Sequence, residues 1–337
     1  MTTNIVNSFD DIYLSSHLPE TVNISTSEVS VEFILYVDGV MVFSSVYYPF
    51  NHLIQVRDIR SIIEAAMFDQ ELSIATLTLE AKQPDGDRAI IEDVKVICCS
   101  FKSTLGSETF LRQNFLTTRK SALIPRGGKM ELHNYTQGGE QGNNRIRIIY
   151  RNLDTGLNSV GNFALISMQS SVDAVILTTL NEDYCKSKVG SATNCKIYAA
   201  ELRLGARAFN LFFTDETPTD EFAFINAFNV QERVYLFGAT TTKTEVNRSE
   251  AVVGKRTQFY DETVTVLHEV ETAPLPFDEA MWMSQMFTSK RVNRILSDNQ
   301  SAEVLITDIT SEVTDDDKEL IKLKFSWKYA DGVEWIK

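Results

Sequence analysis

Residues that could carry out acid–base chemistry or bind metals are few in this chain of 337 residues. The four histidines, His17, His52, His133 and His268, are not spaced with another histidine, a cysteine or a carboxylate as metal ligands on one strand or helix would be. No G-x-S-x-G motif is present to place a nucleophilic serine. We therefore predict no catalytic residue, no metal site and no bound cofactor.

Two short motifs match ligand sites only in part. Residues 126–129 (RGGK) lack the spacing of a phosphate-binding loop and lie between β-rich segments rather than before a helix. The densest group of carboxylates, Asp315, Asp316 and Asp317, lacks the register of a calcium loop. This run favours a solvated hairpin tip, and a bound cation there stays open as an alternative. Glycosidases need only two carboxylates, so glycan cleavage is a further, less favoured hypothesis.

The four cysteines favour a reducing compartment. Cys98 and Cys99 are adjacent, so on a strand they would face opposite sides. Cys185 and Cys195 flank a polar stretch that is typical of a hairpin loop, which could bring their sulfurs together. We predict four half-buried thiols, with a Cys185–Cys195 disulfide as the alternative.

The elements around these residues follow the period of two that β-strands show. Residues 29–37 and 40–48 alternate apolar and polar side chains and are joined by Asp38-Gly39, the strongest short-range hairpin signal. Similar runs recur along most of the chain. Only residues 56–69 and 276–287 have apolar side chains at helical spacing, with Asp58 placed to cap the first helix. The middle is predicted to be free of helices.

These patterns predict a mainly β protein made of β-sandwich or β-barrel units. One helix belongs to the unit near each end, and the middle is β-rich. We place the units at residues 1–104, 105–200 and 201–337. The length is ample for two or three domains.

The charge distribution limits the kinds of partner. With 32 basic and 46 acidic residues, the chain carries a formal charge of −14, so we expect no specific binding of nucleic acid. No apolar run is long enough to span a bilayer, and the first residues show no secretory signal. We therefore expect synthesis in the cytoplasm and no membrane partner.

Two groups of residues are candidates for contacts with other protein chains. The segment 221–238 is rich in phenylalanine, and exposed aromatic residues are typical of interfaces. Its candidates are Phe222, Phe224 and Phe228, with an aromatic core as the alternative. Residues 101–150 are locally basic and would face acidic surfaces of neighbouring subunits rather than DNA. Their candidates are Arg112, Arg119, Lys120, Arg145 and Arg147.

Long stretches of the chain resemble virion proteins of bacteriophage and prophage tails, particularly the tail hub and distal-tail class. The residues are FNVQERVYLFGATTTKTEVNRSEAVVGKRTQFYDETVTVLHEVETAPLPFDEAMWMSQMFTSKRV, VLITDITSEVTDDDKELIKLKFSWKYAD, and, in the N-terminal part, DDIYLSSHLPETVNIS and YYPFNHLIQVRDIRSIIE. The resemblance implies β-sandwich or β-barrel units that each carry a helix and assemble in rings. It also implies an acidic lumen along which DNA slides, and it transfers no functional residue.

The leading hypothesis is therefore a non-enzymatic structural protein of a phage tail or tail-like injection machine. It would be located in the virion tail, after synthesis in the bacterial host, and would associate with itself and with other tail proteins. The alternative is a carbohydrate-binding or adhesion module. Its sugar-stacking residues would be Trp327, Trp335, Tyr47 and Tyr48.

Overall fold

A computed structural model describes residues 3–137, 144–165, 173–190, 194–297, 300–310 and 320–335. Within these ranges strands dominate, which confirms the mainly β fold predicted from the alternation. The strands form five sheets that follow one another along the chain in three units.

The N-terminal unit places two sheets and one helix around a single core. Strands β2, β8, β7, β4 and β5 form one sheet, and β1, β3 and β6 form the other. Asp38 and Gly39 join β4 to β5 with positive φ angles of 48° and 75°, as the predicted hairpin requires. The elements are β1 (Asn4–Ile5), β2 (Ile12–Leu14), β3 (Thr21–Ser25), β4 (Val31–Val37), β5 (Val40–Tyr47), β6 (Leu53–Arg57), α1 (Ile59–Asp69), β7 (Ile74–Lys82) and β8 (Arg88–Ile97).

The helix predicted within 56–69 is α1, and it begins at Ile59, directly after the residue that was expected to cap it. Asp58 precedes it with a left-handed φ of 61° and makes no side-chain capping bond. The predicted role of Asp58 as a side-chain cap is therefore wrong. The buried residues Ile59, Ile63 and Met67 instead fix the helix to the sheets.

The middle unit combines a five-stranded sheet, ordered β12-β11-β14-β15-β9, with a ribbon of β10 and β13. Their inward side chains form one core. The elements are α2 (Ser107–Gln113), β9 (Ser121–Pro125), β10 (Lys129–Thr136), β11 (Arg145–Asn152), β12 (Asn158–Ala164), β13 (Ala174–Asn181), α3 (Glu182–Val189), β14 (Cys195–Leu204) and β15 (Arg207–Thr214).

Three expectations about this unit are corrected. It contains the short helices α2 and α3, so the middle is not free of helices. The helix α3 occupies much of the stretch that predicted a hairpin loop, because the Asn181 side chain accepts from the Tyr184 N–H at 2.8 Å and caps it. The boundary predicted at residue 200 falls inside β14, and the middle sheet continues to Thr214.

The alternative of a disulfide between Cys185 and Cys195 is not realised. Both residues lie in the core of the middle unit as free thiols.

The C-terminal unit is a seven-stranded sheet, ordered β17-β16-β20-β21-β22-β19-β18, with one helix packed on it. This helix, α4, matches the one predicted at 276–287 and buries Trp282, Met283 and Met286. The elements are β16 (Asp220–Ile225), β17 (Gln231–Leu236), β18 (Gly238–Val253), β19 (Arg256–Thr272), α4 (Phe277–Thr288), β20 (Val292–Ser297), β21 (Gln300–Ile309) and β22 (Lys324–Tyr329).

A fourth core joins the three units. It contains Leu14 and Ile97 from the first, Phe110 and Leu116 from the second, and Phe228 from the third. The ring of Phe228 stacks on that of Phe110 with centroids 5.8 Å apart. Because Phe228 and Val230 of the C-terminal unit share this core with residues of the other two units, it holds the units together.

Candidate interaction site

The RGGK motif has a structural role in the part of the chain that the structure describes. Among the described residues, no group of three or more histidine, cysteine and carboxylate side chains could hold a metal ion. The run Asp315–Asp317 lies outside those residues. Residues 126–129 form the turn between β9 and β10, where Arg126 is held by Glu182 and Asp215, each at 2.6 Å. The RGGK motif therefore commits its arginine to ion pairs within the chain.

One serine lies beside a histidine. The Nδ1 atom of His17 is 3.1 Å from the Ser107 hydroxyl, and its Nε2 atom is 3.0 Å from the Ser103 carbonyl. The Ser107 hydroxyl also accepts from the Leu14 N–H at 2.9 Å. Every one of these contacts links the segment at 14–17 to the segment at 103–107. We interpret the hydrogen-bonded His17 and Ser107 as a structural contact between the first two units.

The aromatic candidates for a subunit contact are inside the chain. Phe222, Phe224 and Phe228 are at most 1 % exposed. Phe222 packs against Trp327 with ring centroids 5.6 Å apart, and Phe224 packs against Trp282 at 5.7 Å. The prediction that these three phenylalanines form an interface is therefore wrong. The sheet and α4 cover Phe222 and Phe224, and Phe228 lies in the core that joins the units, as the alternative of an aromatic core predicts.

Arg119 is also inside the chain, in a polar network between the middle and C-terminal units. Its guanidinium lies 3.5 Å from the centre of the Trp282 ring and 3.4 Å from a Glu279 oxygen. Glu232 accepts from the Trp282 N–H at 2.7 Å. Burial lowers the pKa of Arg119, while the charges of Glu232 and Glu279 oppose that shift. The prediction that Arg119 faces a neighbouring subunit is wrong, because its partners belong to the same chain.

The other four basic candidates are exposed. Arg112 forms an ion pair with Glu108 at 2.7 Å on α2, and Lys120 precedes β9. Arg145 and Arg147 alternate with the buried residues Ile146 and Ile148 on β11, so they point away from the core. Their contact with an acidic neighbour stays a prediction.

The feature that the sequence interpretation missed is a long hairpin formed by β18 and β19. The strand β22 pairs with β19 only from His268 to Glu271, and β18 lies at the edge of the sheet. The two strands pair with each other as far as Val253 and Arg256. We call residues 243–266 of this hairpin the arm. Between Val246 and Val264, around the tip of the hairpin, nearly all residues of the arm are exposed.

The arm has one apolar side. Cross-strand pairs share a face, and the pairs Val246–Val264, Arg248–Glu262, Glu250–Phe259 and Val252–Thr257 lie on the same one. Arg248 and Glu262 form an ion pair there at 2.8 Å, and the apolar side chains lie on both sides of it. We call Val246, Val252, Phe259 and Val264 the arm's apolar face; they are between 44 % and 74 % exposed.

The apolar face of the arm continues the buried side of the sheet. Alternation along β19 places Val264 on the same side as His268 and Val270, which are buried in the body of the unit. On the opposite face, the pairs are mostly polar, such as Asn247–Thr263 and Ser249–Asp261. The side of β19 that faces the core near Val270 therefore continues along the arm, where its side chains are exposed to solvent. The unusual length of the two alternating runs was the sequence signal for this arm.

No protein-family model matches the chain, and no curated protein sequence matches it. Within the described ranges, no helix is both long and apolar enough to cross a membrane.

Proposed function

We propose that this chain is a non-enzymatic structural protein of a phage tail or tail-like injection machine, of the hub, baseplate or distal-tail kind. It works by joining other copies of itself and other tail proteins in a ring. The resemblance of its sequence to tail proteins supports the choice of machine. The observation that supports a role in assembly is the exposed arm with apolar side chains on one face.

The arm supports assembly because it is poorly suited to exist alone. A two-stranded hairpin is only marginally stable in water, and this one exposes four large apolar side chains on one face. Burial of apolar surface contributes about 25 cal/mol per Å², so covering this face by another chain would stabilise both. The outer side of β18 also carries backbone groups that a further strand can pair with.

The charge of the chain suits the proposed machine. A net charge of −14 repels DNA, so a channel lined by this protein would let DNA pass without sticking. The carbohydrate-binding alternative loses one of its residues, because Trp327 is fully buried.

The test compares the whole chain with a variant that lacks most of the arm. Glu245 and Thr265 lie directly opposite each other, so an Asn-Gly turn can replace residues 246–264 without changing the register. We expect the whole chain to form rings or short tubes at high concentration, seen by electron microscopy and sedimentation velocity. The shortened variant should keep the same unfolding midpoint and stay monomeric.

A second measurement addresses the machine itself. Mass spectrometry of purified particles from cells that produce the phage or tail-like assembly should detect this chain in stoichiometric amounts. Absence of the chain from such particles would contradict the tail assignment. Equal self-association of the shortened variant would show that the arm is not the assembly element.

A further inference from the structure

The outward face of the five-stranded middle sheet carries a row of apolar residues that crosses all five strands. The register pairs Val160 with Ile149, Ile149 with Ala199, Ala199 with Phe212, and Phe212 with Leu123. Each strand therefore contributes one residue, and the five lie side by side. We call Val160, Ile149, Ala199, Phe212 and Leu123 the sheet row.

The sheet row lies in water. Its four large members are between 41 % and 52 % exposed, whereas their neighbours along the strands, such as Ile148 and Leu211, are buried on the other side. Tyr198, which is the extra residue at a bulge beside Ala199, is also exposed. A continuous apolar strip on an outward sheet face is typical of a protein contact.

Exposed arginines border the sheet row on both sides. Along β11, Arg147 lies on one side of Ile149 and Arg151 on the other, and Arg145 follows Arg147 on the same face. The surface is thus an apolar strip bordered by arginines, with Glu201 opposite Arg147 on the same face, within a chain whose total charge is negative.

The arm matches this surface in length, and its apolar face carries one carboxylate, Glu250, besides the Arg248–Glu262 ion pair. Neighbouring strands are about 4.8 Å apart, so the sheet row is about 19 Å long. From Val246 to Val252 the arm rises by about 3.3 Å per residue, which gives about 20 Å. Glu250 is exposed on the apolar face of the arm, opposite Phe259, where it can meet an arginine at the edge of the row.

We infer that the sheet row is the docking surface for the apolar face of the arm of a second copy of this chain. The inference rests on the proposed assembly role and names the surface that receives the arm. Both surfaces are exposed in one copy, so the arm does not cover the row of its own chain. Each copy offers one arm and one row, and repeated head-to-tail contacts of this kind produce a ring where the rotation closes and a tube where it does not.

Cross-linking between two separately labelled copies tests the contact. Phe259→Cys places a thiol on the apolar face of the arm, and Phe212→Cys places one in the middle of the sheet row. The two variants are purified apart, mixed under assembly conditions and treated with a short bis-maleimide. We expect a cross-linked pair only in the mixture, with its peptides identified by mass spectrometry.

A matched control uses the other face of the arm. Asn247 is exposed and lies on the polar face, so Asn247→Cys mixed with Phe212→Cys should give at least ten times less product. Because these substitutions could themselves weaken docking, a Val252→Cys and Leu123→Cys mixture repeats the test at different positions. Sedimentation of each mixture reports assembly independently.

The outcomes separate the inference from the proposed function. Assembly without cross-links between arm and row, or with equal cross-linking from Asn247→Cys, would overturn the docking surface and leave the ring proposal standing. Cross-links from the arm to another protein or to a different part of the chain would do the same. A wild-type chain that never assembles, at any concentration, would overturn both.

Discussion

The two edges of the seven-stranded sheet differ in what they contact. At one edge, β17 is held to the middle unit, where Arg233 pairs with Glu131 at 3.2 Å and with Glu221 of β16. There the Tyr235 hydroxyl accepts from the Lys129 N–H at 2.8 Å and donates to its carbonyl at 2.9 Å. At the other edge, β18 extends into the arm and has no strand beside it within the described residues.

The difference indicates how this sheet serves two purposes. Charged and aromatic side chains at the β17 edge satisfy one another and fix the units together. Similar residue types on the arm remain in water. We therefore expect substitutions at the first edge to change the stability of the chain and substitutions on the arm to change its assembly.

A pair of identical substitutions tests this expectation most strongly. Phe228→Ala removes a ring from the core that joins the three units, so we expect it to reduce the free energy of unfolding by about 3–5 kcal/mol. Phe259→Ala removes a ring that is 57 % exposed, and its effect on unfolding should be within about 0.5 kcal/mol. Urea denaturation measures both.

The same two variants should reverse their order when assembly is measured. We expect Phe259→Ala to weaken self-association about tenfold or more in sedimentation, as truncation of an aromatic interface anchor does. A Phe259→Ala chain that assembles normally but unfolds easily would contradict the division of roles between the two regions.

The polar network provides the second test. Arg119→Ala leaves the buried Glu232 and the half-buried Glu279 without their cation, so we expect a loss of about 3 kcal/mol in the free energy of unfolding. Arg112→Ala is the control, since it removes an exposed pair on α2 and should cost less than about 1 kcal/mol. Equal effects of the two substitutions would show that the buried network does not hold the units together.

The third test concerns the arginines beside the sheet row. Combined Arg145→Glu and Arg147→Glu substitutions should weaken self-association about tenfold at low salt, because several exposed pairs of about 0–1 kcal/mol each act together. The difference from wild type should shrink above about 0.15 M salt, where the screening length is about 8 Å. Unchanged assembly at low salt would contradict a role for these arginines, and tight binding of duplex DNA by the wild type would indicate a different partner.

Periodicity predicted the strands, the Asp38-Gly39 hairpin and both long helices, because each extends over enough residues to show its period. The short helix α2 was not predicted, since Phe110 and Leu111 at its centre also fit a buried strand. The residues of the candidate interface could not be sorted by type alone. Arg119 and Arg147 look equivalent in the sequence, yet only the packing of α4 and β17 buries the first.

The smallest expected effect is a dependence of stability on pH that arises from Glu131, which pairs with Arg233 at the β17 edge of the sheet. Burial raises the pKa of Glu131, but the hydrogen bond from Lys129 and the charge of Arg233 outweigh it, so the pKa lies below its ordinary value of 4.5. A carboxylate whose pKa is lowered by folding stabilises the folded chain above its unfolded pKa. That contribution is lost as the pH falls below about 4.5 and through the folded pKa.

Glu131→Gln should therefore reduce the free energy of unfolding at pH 7, by about 1 kcal/mol for a partly buried pair. The difference between the variant and wild type should shrink as the pH is lowered below about 4.5, where wild-type Glu131 also becomes neutral. Urea denaturation at several pH values measures it, with Glu250→Gln on the arm as the control whose effect should stay near zero throughout. A difference that is constant with pH would mean that Glu131 acts through its shape and hydrogen bonds, not through its charge.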